Sequence, residues 1–215
     1  ERKEFWLGQA HFAKALTYFR LAQIWGDVPI TQSSESIEPE GKKTALEVLN
    51  EALREAKLAL TLPTYDQLRD VNGKQITSKQ YASLGTVNTL LANIYAWMGG
   101  LYGDMEYWKK AEEHASLVID GKVGFYDLEK TISLLIANTL GANRTSDETI
   151  FAIEINETDE NRFWRKQFEE RYPGLVLVDY PYSEMNPQEI ESNYRKPWIS
   201  VRSVLNLYPD RKDER

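Results

Sequence analysis

The chain has 215 residues, a mass of 24.9 kDa and a formal charge of −7 at pH 7; it is long enough to bury a core and has no dominant basic face for a nucleic-acid partner. Cysteine is absent, which excludes disulfides, thiolate metal sites and a cysteine nucleophile within this stretch. No apolar run approaches the roughly 18 residues that a membrane-spanning helix requires, and no signal peptide is read at the start.

Glu1-Arg2-Lys3-Glu4-Phe5-Trp6 opens in a helical pattern without a cap, and Asp210 to Arg215 follow directly on an apolar segment. The expectation is an internal piece of a longer protein. Phe5, Phe12, Leu16, Phe19 and Ile24 keep an apolar stripe through a first helix that stops at Gly26. Gly26-Asp27-Val28-Pro29-Ile30 reads as a turn into a short extended piece, its residue types structural rather than chemical. After a polar loop to Lys43, Thr44 with Glu47 makes a capping box, and Ala45, Leu49, Ala52, Ala56 and Leu60 stripe a second helix up to Leu62-Pro63. Asn72-Gly73 marks a tight turn in the next loop.

A third helix is expected from Ser78 to Met98, striped by Leu84, Leu91, Ile94, Tyr95 and Met98. A fourth follows from Glu106 to Ile119 with Trp108, Ala111, Ala115 and Val118. Trp97, Met98, Gly99, Gly100 and Trp108 read as inter-helix packing. The small and large positions of both pairs fit tetratricopeptide repeats, and an ordinary four-helix stack predicts nearly the same core.

The second half changes character. Gly124 to Leu128 closes the helical run, Leu134 to Asn138 allows one short helix, and Gly141 to Asp147 is polar. Glu148 to Ile155 alternates as a strand with Ile150 and Ala152 on its apolar face, and Leu175 to Val178 reads as another strand. Beyond Asn161 the chain is irregular and aromatic, with four prolines from Pro173 to Pro197. The expected organisation is a helical scaffold over 1–122, a loop-rich ligand region over 123–199, and a return segment over 200–215. The fold class is mainly α, with tetratricopeptide-like helical pairs, a loop-rich aromatic insert and a little β.

Four stretches in order resemble one family. Gln9-Ala10-His11-Phe12-Ala13-Lys14-Ala15-Leu16-Thr17-Tyr18-Phe19-Arg20-Leu21, followed by Trp25-Gly26-Asp27-Val28-Pro29-Ile30, is similar to the signature of SusD/RagB proteins, with Lys14 where that family commonly has arginine. Leu90 to Met98, Tyr107-Trp108-Lys109-Lys110-Ala111 and Glu148 to Glu154 resemble its later helices and strand, and Pro197 to Asp210 its return segment. The resemblance implies a SusD-like scaffold with a variable region on top. It also implies a cell-surface lipoprotein of the outer membrane, its anchor outside this chain. Such a protein captures oligosaccharide or polysaccharide and delivers it, without cleaving it, to a SusC-like TonB-dependent transporter. No cofactor is implied, and because binding residues vary among members, none carries over.

The ligand residues are therefore sought in the insert. A sugar's axial C–H face packs on an aromatic ring while its hydroxyls need nearby donors and acceptors. Asn161, Trp164 and Arg165 put amide, ring and guanidinium within five residues, and Tyr172, Tyr180 and Tyr182 supply further rings. Their competing role is to pack the insert. His11 and His114 lack ligand spacing, so no metal site is expected. A glycoside hydrolase would need a marked pair of carboxylates; among 33 acidic residues, including Glu154, Asp159, Glu169, Glu170 and Asp179, none stands out. A helical-repeat scaffold that binds a protein partner is the other alternative. Asn143-Arg144-Thr145 and Asn156-Glu157-Thr158 match the glycosylation acceptor pattern and read as chance matches.

Overall fold

A stripe at four-three spacing organises the first helix, α1 (Arg2–Trp25), whose buried residues include Gly8, Phe12, Ala15, Phe19 and Ala22. The computed structural model describes residues 2–31, 33, 40–139, 146–153, 176–178 and 198–200. Ile24 was expected on the buried stripe; it lies two positions past Ala22, off that face, and is 65% exposed. The helix ends where Gly26 enters the left-handed region at φ 69° and its N–H donates to the Ala22 carbonyl at 3.0 Å. Val28 then pairs antiparallel with Lys43, and the Asp27 carboxylate accepts from the Ala45 N–H at 2.8 Å. The turn is thus tied to the start of the next helix.

Helix α2 (Ala45–Leu58) begins on the expected capping box: Thr44 accepts from the Glu47 N–H, and Glu47 accepts from the Thr44 N–H at 2.9 Å. Thr44→Ala should cost about 1 kcal/mol of stability, read as a lower urea midpoint. A 3-10 turn over Ala59–Thr61 continues the helix. Because it winds more tightly, the buried face passes to Ala59 and Leu62, and Leu60, expected on the stripe, is 37% exposed.

Helix α3 (Leu84–Tyr102) starts later than Ser78. Ser83 takes the N-cap, exchanging hydrogen bonds with Thr86, and the preceding residues form turns. Gly103, at φ 68°, closes α3, and Asp104 caps α4 (Met105–Ile119) by accepting from the Glu106 N–H at 2.8 Å. Two residues thus reverse the chain between these helices. Gly99 lets α4 approach: a Cβ there would stand 2.9 Å from the Trp108 indole. Gly99→Ala should destabilise by about 1–3 kcal/mol, measured by thermal unfolding against Gly100→Ala, where the nearest ring atom is 3.8 Å away. A short helix, α5 (Ile132–Thr139), follows.

Residues 148–153 differ from the expected strand: they form a turn followed by irregular backbone. Their backbone partners are not those of a strand ladder, since Ala152 N–H donates to the Lys79 carbonyl at 3.0 Å and the Thr86 hydroxyl donates to Ile150 at 3.4 Å. Phe151, rather than Ile150 or Ala152, packs with the core, its ring 5.1 Å from that of Phe12 in an edge-to-face contact. Residues 154 and 155 lie outside the described residues.

The core is one cluster shared by α1 to α4, in which α1 packs on α2, α3 on α4, and α2 on α3. The protein is mainly α, in helical pairs. The chain divides into two compact units, Glu1–Ile153 and Glu154–Arg215. Described in the second are two short parallel strands, β1 (Val176–Val178) and β2 (Trp198–Ser200), with Val176 opposite Trp198.

Candidate functional site

The residues expected to hold a ligand, Asn161, Trp164, Arg165, Tyr172, Tyr180 and Tyr182, lie outside the described residues, as do both glycosylation-like triplets. The described scaffold carries two concavities of its own.

The first is a cleft of about 580 Å³ between the start of α1 and the 61–81 connection. Phe5, Trp6 and Tyr81 form its aromatic wall. The Phe5 and Trp6 centroids are 5.3 Å apart at 71°, and Trp6 and Tyr81 are 6.3 Å apart at 61°, both edge-to-face. Gln9 positions Tyr81 by acting as a surrogate strand: its side-chain amide donates to the Ala82 carbonyl at 2.8 Å and accepts from the Ala82 N–H at 2.9 Å. The Leu84 N–H donates to the Pro63 carbonyl at 2.8 Å, closing the same turn. The opposite wall carries Arg69, Asp70 and Gln67. Arg69 donates to the carbonyls of Asp66 and Leu68, and Asp70 accepts from the N–H groups of Asn72 and Lys74 at 2.8 and 2.9 Å, so the wall is ordered by its own turn. In the sequence Trp6 stands out only as part of a helical opening, since Tyr81 is 75 positions away.

The second is a groove of about 500 Å³ between α1, α3, α5 and residues 148–151. Its floor is apolar, with Phe12, Phe19, Leu90 and Phe151, and its rim carries Arg20 and Asn93. Arg20 is bonded to Gln23 at 2.9 Å.

Between α1 and α2 lies a charged cluster that periodicity did not reveal. Glu55 falls on the buried face of α2 and is 2% exposed. Lys14 reaches it at 2.7 Å, His11 Nδ1 at 2.5 Å and Arg54 at 2.5 Å. Arg54 also grips Glu51 through two bonds of 2.8 Å, and Lys14 stands 3.3 Å from it. Burial pushes the Glu55 carboxyl up, but the bonds from Lys14 and His11 and the charges of Lys14 and Arg54 outweigh it, leaving the carboxyl below its usual range. Glu51 is pulled to about 2, chiefly by its hydrogen bonds to Arg54. Lys14, which stands where the resembled family has arginine, thus supplies a cation to a buried carboxylate. The available signal was Glu55's place three residues after Ala52, on the alanine stripe.

Lys79 is also buried, its ammonium 3.8 Å from the Tyr65 ring centroid, and burial pushes its pKa down. His114 bonds Asn88 at 2.8 Å and stacks on Tyr95. Among the described residues no group of three His, Cys, Asp or Glu could hold a metal ion, and no helix is long and apolar enough to cross a membrane. The concavities thus offer rings, amides and charged side chains.

Residues 1–99 match the family model SusD-like_3, described as starch-binding and associating with the outer membrane. No curated protein matches the chain. Among solved structures, a SusD superfamily protein from Bacteroides fragilis aligns at 21% identity and TM-score 0.59, covering 74% of this chain and 31% of its own. B. fragilis NanU aligns at 20% identity and TM-score 0.60, covering 79% and 32%. A SusD homolog from Bacteroides thetaiotaomicron aligns at 20% identity and TM-score 0.60, covering 74% and 30%. The helical fold of this chain is similar to that of these solved SusD-type structures, and residues 1–99 carry the likeness to the family model. It spans about a third of the length of these solved relatives.

Proposed function

We propose that the chain is part of a non-catalytic receptor that binds oligosaccharide or polysaccharide at the outer membrane and hands it to a SusC-like TonB-dependent transporter. The observation that carries this reading is the match of residues 1–99 to a family described as starch-binding and associating with the outer membrane. In this reading residues 1–122 are the scaffold, 123–199 the ligand region and 200–215 the return segment. Trp164 is the first stacking platform, with Asn161 and Arg165 answering sugar hydroxyls and Tyr172, Tyr180 and Tyr182 adding rings. A lipid anchor outside this chain holds the protein on the cell surface.

The test uses the full-length protein in affinity gels and calorimetry against a polysaccharide panel, with an assay for released reducing sugar. Saturable binding without release, weakened in Trp164→Ala, is the expected result. Release of reducing sugar would replace the receptor by a glycoside hydrolase. An absence of glycan binding would remove the receptor reading and leave the protein-binding scaffold as the alternative.

A further inference from the structure

The Phe5–Trp6–Tyr81 cleft has the features of a binding surface, with Phe5 packed against the core and Trp6 and Tyr81 outside the core cluster. Trp6 is 49% exposed, so its ring is open to a ligand. Its ring and that of Tyr81 are held by edge-to-face contacts, and Tyr81 is fixed through the Gln9–Ala82 pair. Little rotamer freedom is therefore left to lose when a ligand arrives. The volume of about 580 Å³ falls within the roughly 300–1,000 Å³ of small-ligand sites.

The charges select the ligand class. Arg2 and Arg69 are matched by Glu4 and Asp70 around the same cleft, so it carries no net charge to attract an anion or a cation. What it offers is an apolar ring wall facing an opposite wall of hydrogen-bonding groups. That combination suits an uncharged pyranose, apolar on one face and rimmed with hydroxyls.

We propose that this cleft is a second sugar-binding site, taking one or two uncharged hexose units of a longer glycan against Trp6 and Tyr81. It rests on the glycan-receptor reading above, but on a different part of the chain from Trp164. Two sites on one receptor raise the effective concentration of a long polymer without improving the grip on a short one.

The experiment measures calorimetric affinities of full-length wild type, Trp6→Ala, Trp6→Phe and Tyr81→Ala for a panel of neutral oligosaccharides, maltoheptaose, cellohexaose and mannohexaose, with trigalacturonate as the charged control. Wild type should bind the preferred neutral oligosaccharide at two sites, and Trp6→Ala and Tyr81→Ala should each weaken by about 5- to 10-fold the site that Trp164→Ala leaves intact, the loss of one stacking partner. Trp6→Phe should stay within about twofold of wild type, because a ring face is kept. Unchanged affinity in both alanine variants, with wild type binding and Trp164→Ala impaired, overturns the second site and leaves the receptor reading standing. Wild type that binds none of the neutral sugars overturns both. Trp6-dependent binding of trigalacturonate overturns the uncharged-ligand assignment. Because Trp6 and Tyr81 lie on separate segments, a folding defect in one variant leaves the other to decide.

Discussion

Leu91→Ala should lower the free energy of unfolding by about 2–5 kcal/mol, the largest single loss expected on the scaffold. Leu91 is 0% exposed on the face of α3 that joins the shared core cluster. Replacing its isobutyl group by methyl forfeits the transfer energy of three carbons and leaves a cavity among core residues such as Ile94, Met98 and Leu49, which are 0% exposed and closely packed. A reduced urea midpoint with an unchanged slope is the expected signature. Leu101→Ala is the control: Leu101 is 55% exposed on the same helix and its truncation should stay within about 0.5 kcal/mol. Equal losses at the two positions would show that α3 is not packed as described.

The second large effect is on acid stability. Glu51 and Glu55 both have folded-state pKa values depressed below the unfolded glutamate value of about 4.3. A depressed carboxyl contributes stability that is present above its unfolded pKa and lost as the pH falls through its folded pKa. For Glu51, held at about 2, that window runs from near pH 4.3 down to about 2. Stability should therefore fall by about 1–3 kcal/mol across this interval, beyond the general effect of accumulating positive charge. In Glu55→Gln the buried partner of Lys14 and His11 is neutral at every pH. This variant should be about 1–3 kcal/mol less stable at pH 7, and its midpoint should depend less on pH below 5. Denaturant titrations at pH 7, 5, 4 and 3 separate the two contributions. A parallel pH dependence in wild type and variant would remove Glu55 from the account.

Much of the scaffold could be read from residue types. Thr44 and Glu47 announce α2 because a capping box has few other uses, and Gly26 announces the end of α1 because it must take a positive φ. Leu91, Ile94, Tyr95 and Met98 declare the buried face of α3 by spacing alone. The errors lie where spacing carries no information about partners. Ile24 and Leu60 are apolar, but each sits just beyond the face its helix buries. Glu148 to Ile153 alternates like a strand, yet alternation cannot supply the neighbouring strand that hydrogen-bonded pairing needs. Glu55 is the reverse case. A carboxylate is tolerated inside because His11 and Lys14, more than 40 positions away, come to meet it. The cleft at Trp6 was illegible for the same reason, since Tyr81 joins it only after the chain has folded back.

The clamp at the foot of the first two helices has a consequence for variation. Val28 pairs with Lys43 and Asp27 holds the Ala45 N–H, so the ends of the intervening connection are fixed whatever lies between them. Closing a loop whose ends are already pinned costs entropy only as the logarithm of its length, about 0.6 kcal/mol for each doubling. An insertion there changes the outline of the molecule almost without thermodynamic consequence, while one inside α1 or α2 would rotate a buried face toward solvent. Selection is thus left free to lengthen and redecorate this edge, and to try new partners there, on a frame that does not register the change.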